Sequence, residues 1–431
     1  MSDSILLCTV GGSHQPVLTA IQELEPAFVL FFATGRDQAT GRAGSIESIT
    51  GKGHPVEVRR GGEVVEQLPN IPAQAGLAAE RFEAVEVPAD DLDQAVAAMT
   101  EATAALRQRF PAAAFVADYT GGTKTMTAAL VMTALEADDI RLQLITGDRA
   151  DLVKVHDGSQ AGLAVSAEGI RLRRGMQPFL RAWQRFAYGE AAEGLSALPM
   201  PRDRALRAEL QIARALSRAF DAWDRFDHVA ASEQLELYRQ RLGKDAGPVA
   251  GALFTALKQL CAGPDHPQRT PARLWDLWLN AQRRAAQGRY DDAVARGYRL
   301  LEWAAQWLLA TKGIDTGDLR AEQIPDSLGI AANPDGKHQA GLRNAWELAA
   351  HHLGGEVQTF VEAERSHMLD QLKKRNYSIL AHGDQPIAKA DWEAFRSWID
   401  AALIPLLQAR AEHSGLKRLA PQLPQQPIWK A

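Results

Sequence analysis

The sequence predicts an α/β Rossmann-like N-terminal domain built on a parallel sheet, followed by an all-α connector and an all-α C-terminal domain. Three observations predict it. Short apolar runs alternate with helix-spaced segments up to residue 148. Strand signals stop after residue 172, and from there on apolar residues recur at i, i+3 and i+4. A chain of 431 residues also exceeds what one ordinary core serves. The expected divisions are 1–174 for the Rossmann-like domain, 175–270 for a helical connector, 271–415 for the C-terminal helical domain and 416–431 for a Pro/Gln-rich tail.

Residues 4–10 (SILLCTV) are an apolar run short enough for a buried parallel strand. Gly11-Gly12-Ser13 breaks it, and residues 15–24 (QPVLTAIQEL) continue with helical spacing. Residues 27–34 (AFVLFFAT) are a second strand, followed by a polar loop to about Gly53. Residues 81–88 (RFEAVEVP) read as a third strand, and 91–106 as a helix opened by acidic residues. The run AAFVADYTGG (113–122), the helix 123–137 and the strand 141–148 complete the alternation. Elements of this size in this order make a parallel sheet covered by helices on both faces. A hairpin is expected around 151–172.

Beyond it the helices carry weak internal repetition. AWQRFAYGEAAEGL (182–195) matches AWDRFDHVAASEQL (222–235) at Ala, Trp, Arg, Phe, Ala and Leu, and QGRYDDAVARGYRLLE (287–302) is a looser echo. An aromatic before a turn, then a helix with small residues, is the pattern of stacked helical hairpins. GPDHPQRTP (263–271) punctuates the region. Trp303, Trp307 and Leu308 recur at helical spacing and mark a core or dimer surface. The end, LAPQLPQQPIWKA, is expected to pack poorly.

Composition narrows the function classes. The chain is 46% hydrophobic and 23% charged, as a globular protein is. A net charge of −5 argues against a broad nucleic-acid wrapper, while leaving room for a local basic groove around one RNA strand. Only Cys8 and Cys261 occur, without a CxxC, which fits a reducing cytoplasm and no zinc ribbon. The first residues lack the basic start of a signal peptide, and no run approaches the ~18 apolar residues of a membrane span. A cytoplasmic protein with no membrane partner is expected.

Two loops leave a strand's carboxyl end and enter a helix: Gly11-Gly12-Ser13-His14 and Thr120-Gly121-Gly122-Thr123-Lys124. At such ends, free backbone N–H groups and the helix dipole attract anions. Paired glycines let the backbone approach a phosphate, and Lys124 adds a charge at the helix start. Neither a Walker A loop nor a Gly-x-Gly-x-x-Gly fingerprint is present. Each loop also has a plain structural reading as a tight turn.

The second constellation is KKRNYSILAHGDQP, residues 373–386. Treated as a helix from 368 to 382 capped by Gly383, it puts Leu369, Leu372, Ile379 and Leu380 on one stripe with Asn376 inside it. Arg375 and His382 then border that stripe within ~20° of each other and ~10 Å apart along the axis. Asn376 is expected to be a buried, hydrogen-bonded amide. An imidazole near neutrality beside a permanent guanidinium suits attack on a phosphodiester: His382 exchanges protons and Arg375 holds the phosphate. No metal-ligand cluster accompanies them. A capping histidine and a surface arginine are the plain alternative, and His351, His352 and His367 are given no metal.

Together the motifs TVGGS, DYTGGTKTM and RNYSILAHG, on a Rossmann-like half and a helical half, resemble the CARF–HEPN ribonucleases of type III CRISPR systems. HEPN domains carry an Arg, four to six residues, then a His; six residues separate Arg375 from His382, and Asn376 takes the frequent Asn position. The resemblance implies a homodimer whose CARF domains bind cyclic oligoadenylate, a second messenger, as an allosteric activator rather than a cofactor. It implies Gly11, Gly12, Ser13, Thr120, Gly121, Gly122, Thr123 and Lys124 as the ligand-binding residues, and Arg375, Asn376 and His382 as the catalytic ones. It further implies metal-independent cleavage of single-stranded RNA in antiviral defence, leaving a 2′,3′-cyclic phosphate and a 5′-hydroxyl. By family analogy a ring of four adenylates is favoured over six. The role of the 35–53 loop, degradation of the activator and assembly beyond a dimer stay open. Rival readings are a cyclic-nucleotide sensor with an inactive helical dimerisation domain, a nucleotide-dependent enzyme with a helical cap, and a nuclease preferring a structured RNA.

Overall fold

The structure, a computed structural model, describes residues 4–37, 40–60, 63–137, 139–146, 161–380 and 383–429. It divides into two compact units, Met1–Arg173 and Arg174–Ala431.

In the first unit the apolar runs become β1 (Ser4–Thr9), β2 (Phe28–Ala33), β5 (Phe82–Glu86), β6 (Ala114–Asp118) and β7 (Arg141–Thr146). With β8 (Ala161–Val165) they form one sheet in the order β5-β2-β1-β6-β7-β8. The first five strands run parallel, and β8 returns antiparallel to β7, pairing Leu142 with Val165. Alternation decides which residue meets which helix. Ile5 and Leu7 face the layer of α4 (Leu92–Arg109) and α5 (Lys124–Glu136), with Met99 and Leu130 in one cluster. Leu6, Cys8 and Val10 face the other way, against Val17 and Ile21 of α1 (Gln15–Leu24). The central strands β1 and β2 are buried on both faces, hence their apolar runs.

Within the first unit the structure departs from the sequence reading at two places. The hairpin expected at 151–172 is formed by β7 and β8, with α6 (Glu168–Ala182) already begun at Glu168; residues 147–160 lie outside the described residues. A second hairpin, β3 (Val56–Arg60) with β4 (Glu63–Leu68), is absent from the sequence expectation. Its sequence signal is available in the β-branched residues on both sides of Gly61-Gly62.

The second unit is helical: α7 (Tyr188–Ala197), α8 (Arg204–Asp224), α9 (His228–Glu236), α10 (Arg239–Leu260), α11 (Arg269–Ala286), α12 (Tyr290–Ala310), α13 (Leu342–Leu353), α14 (Gly355–Asn376), α15 (Lys389–Trp398) and α16 (Ile404–His413). The sequence repeats share one turn. Phe186, Phe226 and Gly288 each adopt left-handed backbone, with φ of 58°, 64° and 76°. In all three the next residue's N–H bonds a carbonyl five positions back: Ala187 to Ala182, Asp227 to Ala222 and Arg289 to Arg284. Only the third copy has the glycine that this conformation favours.

Around the second copy of that turn lies a charge network without solvent. Arg283, fully buried, donates from Nε to Asp224 at 2.7 Å, from Nη1 to Gln422 at 2.8 Å and from Nη2 to Asp276 at 3.3 Å. Asp276 also receives Trp223 Nε1 at 3.1 Å and pairs with His228 Nε2 at 2.8 Å. Asn280 donates to the Asp224 carbonyl and carboxylate, both at 2.8 Å, and Arg284 also pairs with Asp224. Burial alone would raise the Asp276 carboxyl, but Arg283, His228 and Trp223 outweigh it and hold it below the usual carboxylate range.

Gln422 belongs to the segment expected to pack poorly. Instead it crosses the helices: Tyr188 donates to the Pro424 carbonyl at 2.7 Å, Gln425 to that of Gln184 at 2.6 Å, and the Trp429 ring meets Trp183 edge-on. Prolines fix an extended course while Leu423 and Trp429, at 2% and 8% exposure, supply the burial that a Pro/Gln composition conceals.

Two outcomes are expected from chemical denaturation. Arg283→Met should lose about 3–5 kcal/mol, since it leaves two buried carboxylates underpaired, while breaking the exposed Arg299–Glu302 pair should cost less than about 1 kcal/mol. Phe226→Gly, at a 37%-exposed left-handed position, should be neutral or up to about 1 kcal/mol stabilising. Phe186→Gly loses a ring that is 6% exposed and should cost about 3 kcal/mol.

Candidate functional site

In the first unit the chain passes from β1 to β2 on one side and later returns to place β6 on the other side of β1. Their carboxyl ends therefore flank the switch point, where open α/β sheets form a ligand crevice. Both glycine loops sit there, and they touch. A Cβ on Gly11 would lie 2.7 Å from Gly122 N, and one on Gly121 would lie 2.6 Å from the Thr9 carbonyl. Gly122 has φ +93°. Thr9 and Thr127 both donate to the Gly121 carbonyl, at 2.5 and 3.1 Å, pinning the second loop to the first.

The expected ligand residues divide. Gly12, Ser13 and Lys124 are exposed, and nothing lies within 4 Å of a Cβ at Gly12. Thr120 and Thr123 use their hydroxyls on the scaffold: Thr120 Oγ1 accepts from Ile145 N at 2.7 Å, while Thr123 Oγ1 caps α5 by accepting from Met126 N and donates to the Ala89 carbonyl. The next loop is clasped at its root by Thr34 and Ser45, each accepting the other's backbone N–H at 3.0 Å. Arg36 donates to the Gly41 carbonyl within it.

Sequence reasoning passes over Asp118, whose signal is a carboxylate ending an apolar strand. It is 3% exposed, accepts from Thr120 N at 3.0 Å and receives Gln143 Nε2 at 3.5 Å. Burial raises its pKa, opposed by those hydrogen bonds. The buried Cys8 thiol beside it is pushed up by burial and by Asp118.

The second constellation differs from the sequence reading. α14 ends at Asn376, with Tyr377 as its cap, and does not continue to 382. The backbone folds back: Ser378 N bonds Arg375 O, Ile379 N bonds Gln385 O, and Gly383 N bonds Ser378 O. A Cβ on Gly383 would fall 1.8 Å from the Tyr377 carbonyl, so the return needs glycine. Once the helix ends, the stripe dissolves. Asn376 is exposed rather than buried, and Ile379 and Leu380 are 59% and 52% exposed, while Ser378 takes the buried place. His382 lies outside the described residues.

Arg375 itself is half-buried. Its Nη1 donates to Asn376 Oδ1 at 3.3 Å, and its guanidinium carbon lies 5.6 Å from the centroid of the Tyr298 ring. Burial raises the Tyr298 hydroxyl, and Arg375 works against that shift. Behind this surface His367 lies against the Trp398 ring, whose Nε1 donates to Glu364 at 2.8 Å. Among the described residues no three His, Cys, Asp or Glu side chains are grouped as metal ligands would be, and no helix is long and apolar enough to cross a membrane.

Residues 265–404 match the family model described as the Csm6 HEPN domain. That segment contains α11 to α15 and the Arg375 turn. Over those residues the chain is similar to the Csm6 HEPN domain. The fold is similar to that of a structure of Enterococcus italicus Csm6 bound to cyclic hexa-2′-fluoro-hexa-dAMP, with a TM-score of 0.56, 10% identity, and coverage of 96% of this chain and 95% of that one. Can2 from Sulfobacillus thermosulfidooxidans, in complex with cyclic tetra-adenylate, aligns with 56% of this chain and 67% of its own at 12% identity; its TM-score of 0.23 is too low to argue from. No curated protein matches. The CARF–HEPN resemblance and the Rossmann-plus-helical fold class read from the sequence are borne out.

Asp118 makes the crevice's stability depend on pH. A raised pKa favours the protonated acid in the fold, so the residue's contribution is full below the ordinary carboxylate pKa and is lost as pH rises through the raised value. Asp118→Asn stays neutral. Its melting temperature should gain on wild type as pH rises above about 4, the ordinary carboxylate value.

Proposed function

We propose that the chain is a homodimeric endoribonuclease of type III CRISPR defence, switched on by cyclic oligoadenylate and cutting single-stranded RNA at its HEPN domain. The observation that carries this reading is the pairing, in one chain, of a Csm6 HEPN segment with two mutually touching glycine loops at a sheet's switch point. Gly11, Gly12, Ser13, Gly121, Gly122 and Lys124 offer backbone N–H groups and one cation to phosphates, while Thr120 and Thr123 shape the loop that does so. A ring of an even number of adenylates has two-fold symmetry and suits two copies of this crevice across a dimer axis. Differential affinity of the ring for the active arrangement is then the source of activation.

In the HEPN domain Arg375 holds the scissile phosphate and its developing charge. His382 takes the proton of the attacking ribose 2′-hydroxyl or delivers one to the leaving 5′-oxygen. Attack by that hydroxyl on phosphorus and departure of the 5′-oxygen leave a 2′,3′-cyclic phosphate and a 5′-hydroxyl, and no metal enters these steps. Asn376 hydrogen-bonds Arg375 and orients it. The expectation of four adenylates is kept beside six, the ring size of the analogue on the Enterococcus protein.

The test is cleavage of a labelled single-stranded RNA in EDTA, with cyclic tetra- or hexa-adenylate and without either. One ring should trigger cutting by wild type, and His382→Ala and Arg375→Ala should lose it by roughly a hundred-fold or more while still binding the ring. Gly11→Ala, which forces the two loops apart, should weaken ring binding. A ring that binds tightly without eliciting any cutting would favour a sensor over a nuclease.

A further inference from the structure

Arg375 has an aromatic neighbour for which the proposed chemistry has no use. Tyr298, on α12, presents its ring 5.6 Å from the guanidinium carbon. That ring is itself fixed: it stacks on Phe395 of α15 at 6.1 Å between centroids and 10° between planes. Gly297 makes room for the stack, since a Cβ there would lie 2.2 Å from Phe395 Cε1. Tyr298 is 8% exposed and Phe395 1%, so the two rings have little freedom to move.

We infer that Tyr298 is a positioning residue for Arg375: the Tyr298–Phe395 stack is a rigid aromatic platform that holds the guanidinium where the phosphate is bound. The inference rests on the nuclease reading for its functional part and on geometry for the rest. Arginine has a long rotatable stem, and at the last turn of α14 the helix offers it only the long 3.3 Å bond to Asn376. A ring face attracts the cation through its quadrupole and restricts it to the plane above the ring. Catalysis by a charge on a phosphate depends on that charge being in place before the reaction, so a guanidinium free to wander loses rate more than binding. The ring face, not the hydroxyl, does the holding. Among the described residues the buried Tyr298 hydroxyl has no hydrogen-bond partner.

That distinction sets the test. Tyr298→Phe keeps the face and removes only the unpartnered oxygen; Tyr298→Leu removes the face. With the activating ring present, Tyr298→Phe should cleave RNA within about twofold of wild type. Tyr298→Leu should lose roughly ten- to a hundred-fold in kcat with KM little changed. An equal loss in both variants, or a Tyr298→Leu protein that folds and keeps its kcat, would overturn the inference.

A second measurement does not depend on cleavage. In wild type, the Arg375 side-chain NMR signals, assigned with Arg375→Lys, should carry an upfield ring-current shift that Tyr298→Phe retains. Absence of that shift in wild type overturns the platform whether or not Tyr298→Leu folds. If the shift is present but wild type cuts no RNA under any ring, the nuclease reading fails and the platform stands as a structural contact.

Discussion

Arg283 is the constraint around which the helical unit is assembled. A guanidinium without solvent must find anions and acceptors on every side, because the cost of desolvating it exceeds what any single pair returns. Here they come from three places in the chain: Asp224 at the end of α8, which Asn280 also holds, Asp276 two turns earlier on the same face of α11, and Gln422 in the final extended segment. Two arginines face two aspartates, so the network is close to neutral. Hydrophobic contacts tolerate sliding; a buried guanidinium with fixed donors does not. Helices α8 and α11 and the last residues are thereby held in one register.

Asp224 and His228 belong to the second copy of the repeated turn, which explains why the copies diverged where they did. In the first copy Trp183, which matches Trp223, donates to Ser217, and Tyr188, which matches His228, donates to the Pro424 carbonyl, both neutral bonds. The turn's backbone is the same; the polar positions differ, and those of the second copy supply Asp224 to Arg283 and His228 to Asp276. Such repetition is detectable as a sequence pattern, but its purpose is not, since the partner lies 59 residues further along.

The glycine loops show a similar division. That two Gly-Gly pairs end strands and begin helices was legible from apolar runs and breakers. That Gly11 and Gly122 must be glycine because their backbones meet was not, for the contact spans more than a hundred positions and depends on β1 and β6 being neighbours. The same adjacency buries Asp118, which in sequence is only an acid before an aromatic. Around Arg375 the sequence suggested a longer helix. Helical spacing does continue through Ile379 and Leu380, but a periodic pattern carries no information about a chain that turns back on itself. The return bonds from Gln385 and Gly383 to Ser378 and its neighbours compete with the next helical turn and win.

What the sequence determined by itself is local: the alternating strands and helices of the first unit, the switch to helices and the repeated turn. These rest on periodicity, turn chemistry and side-chain type, which act over a few residues. The tertiary structure alone decided which loops touch, that the Pro/Gln segment is a strap rather than a loose end, that Asn376 faces solvent, and that Tyr298 lies under Arg375. Each of those depends on burial and on contacts between distant residues, and the free energy of such contacts exists only once the elements have packed.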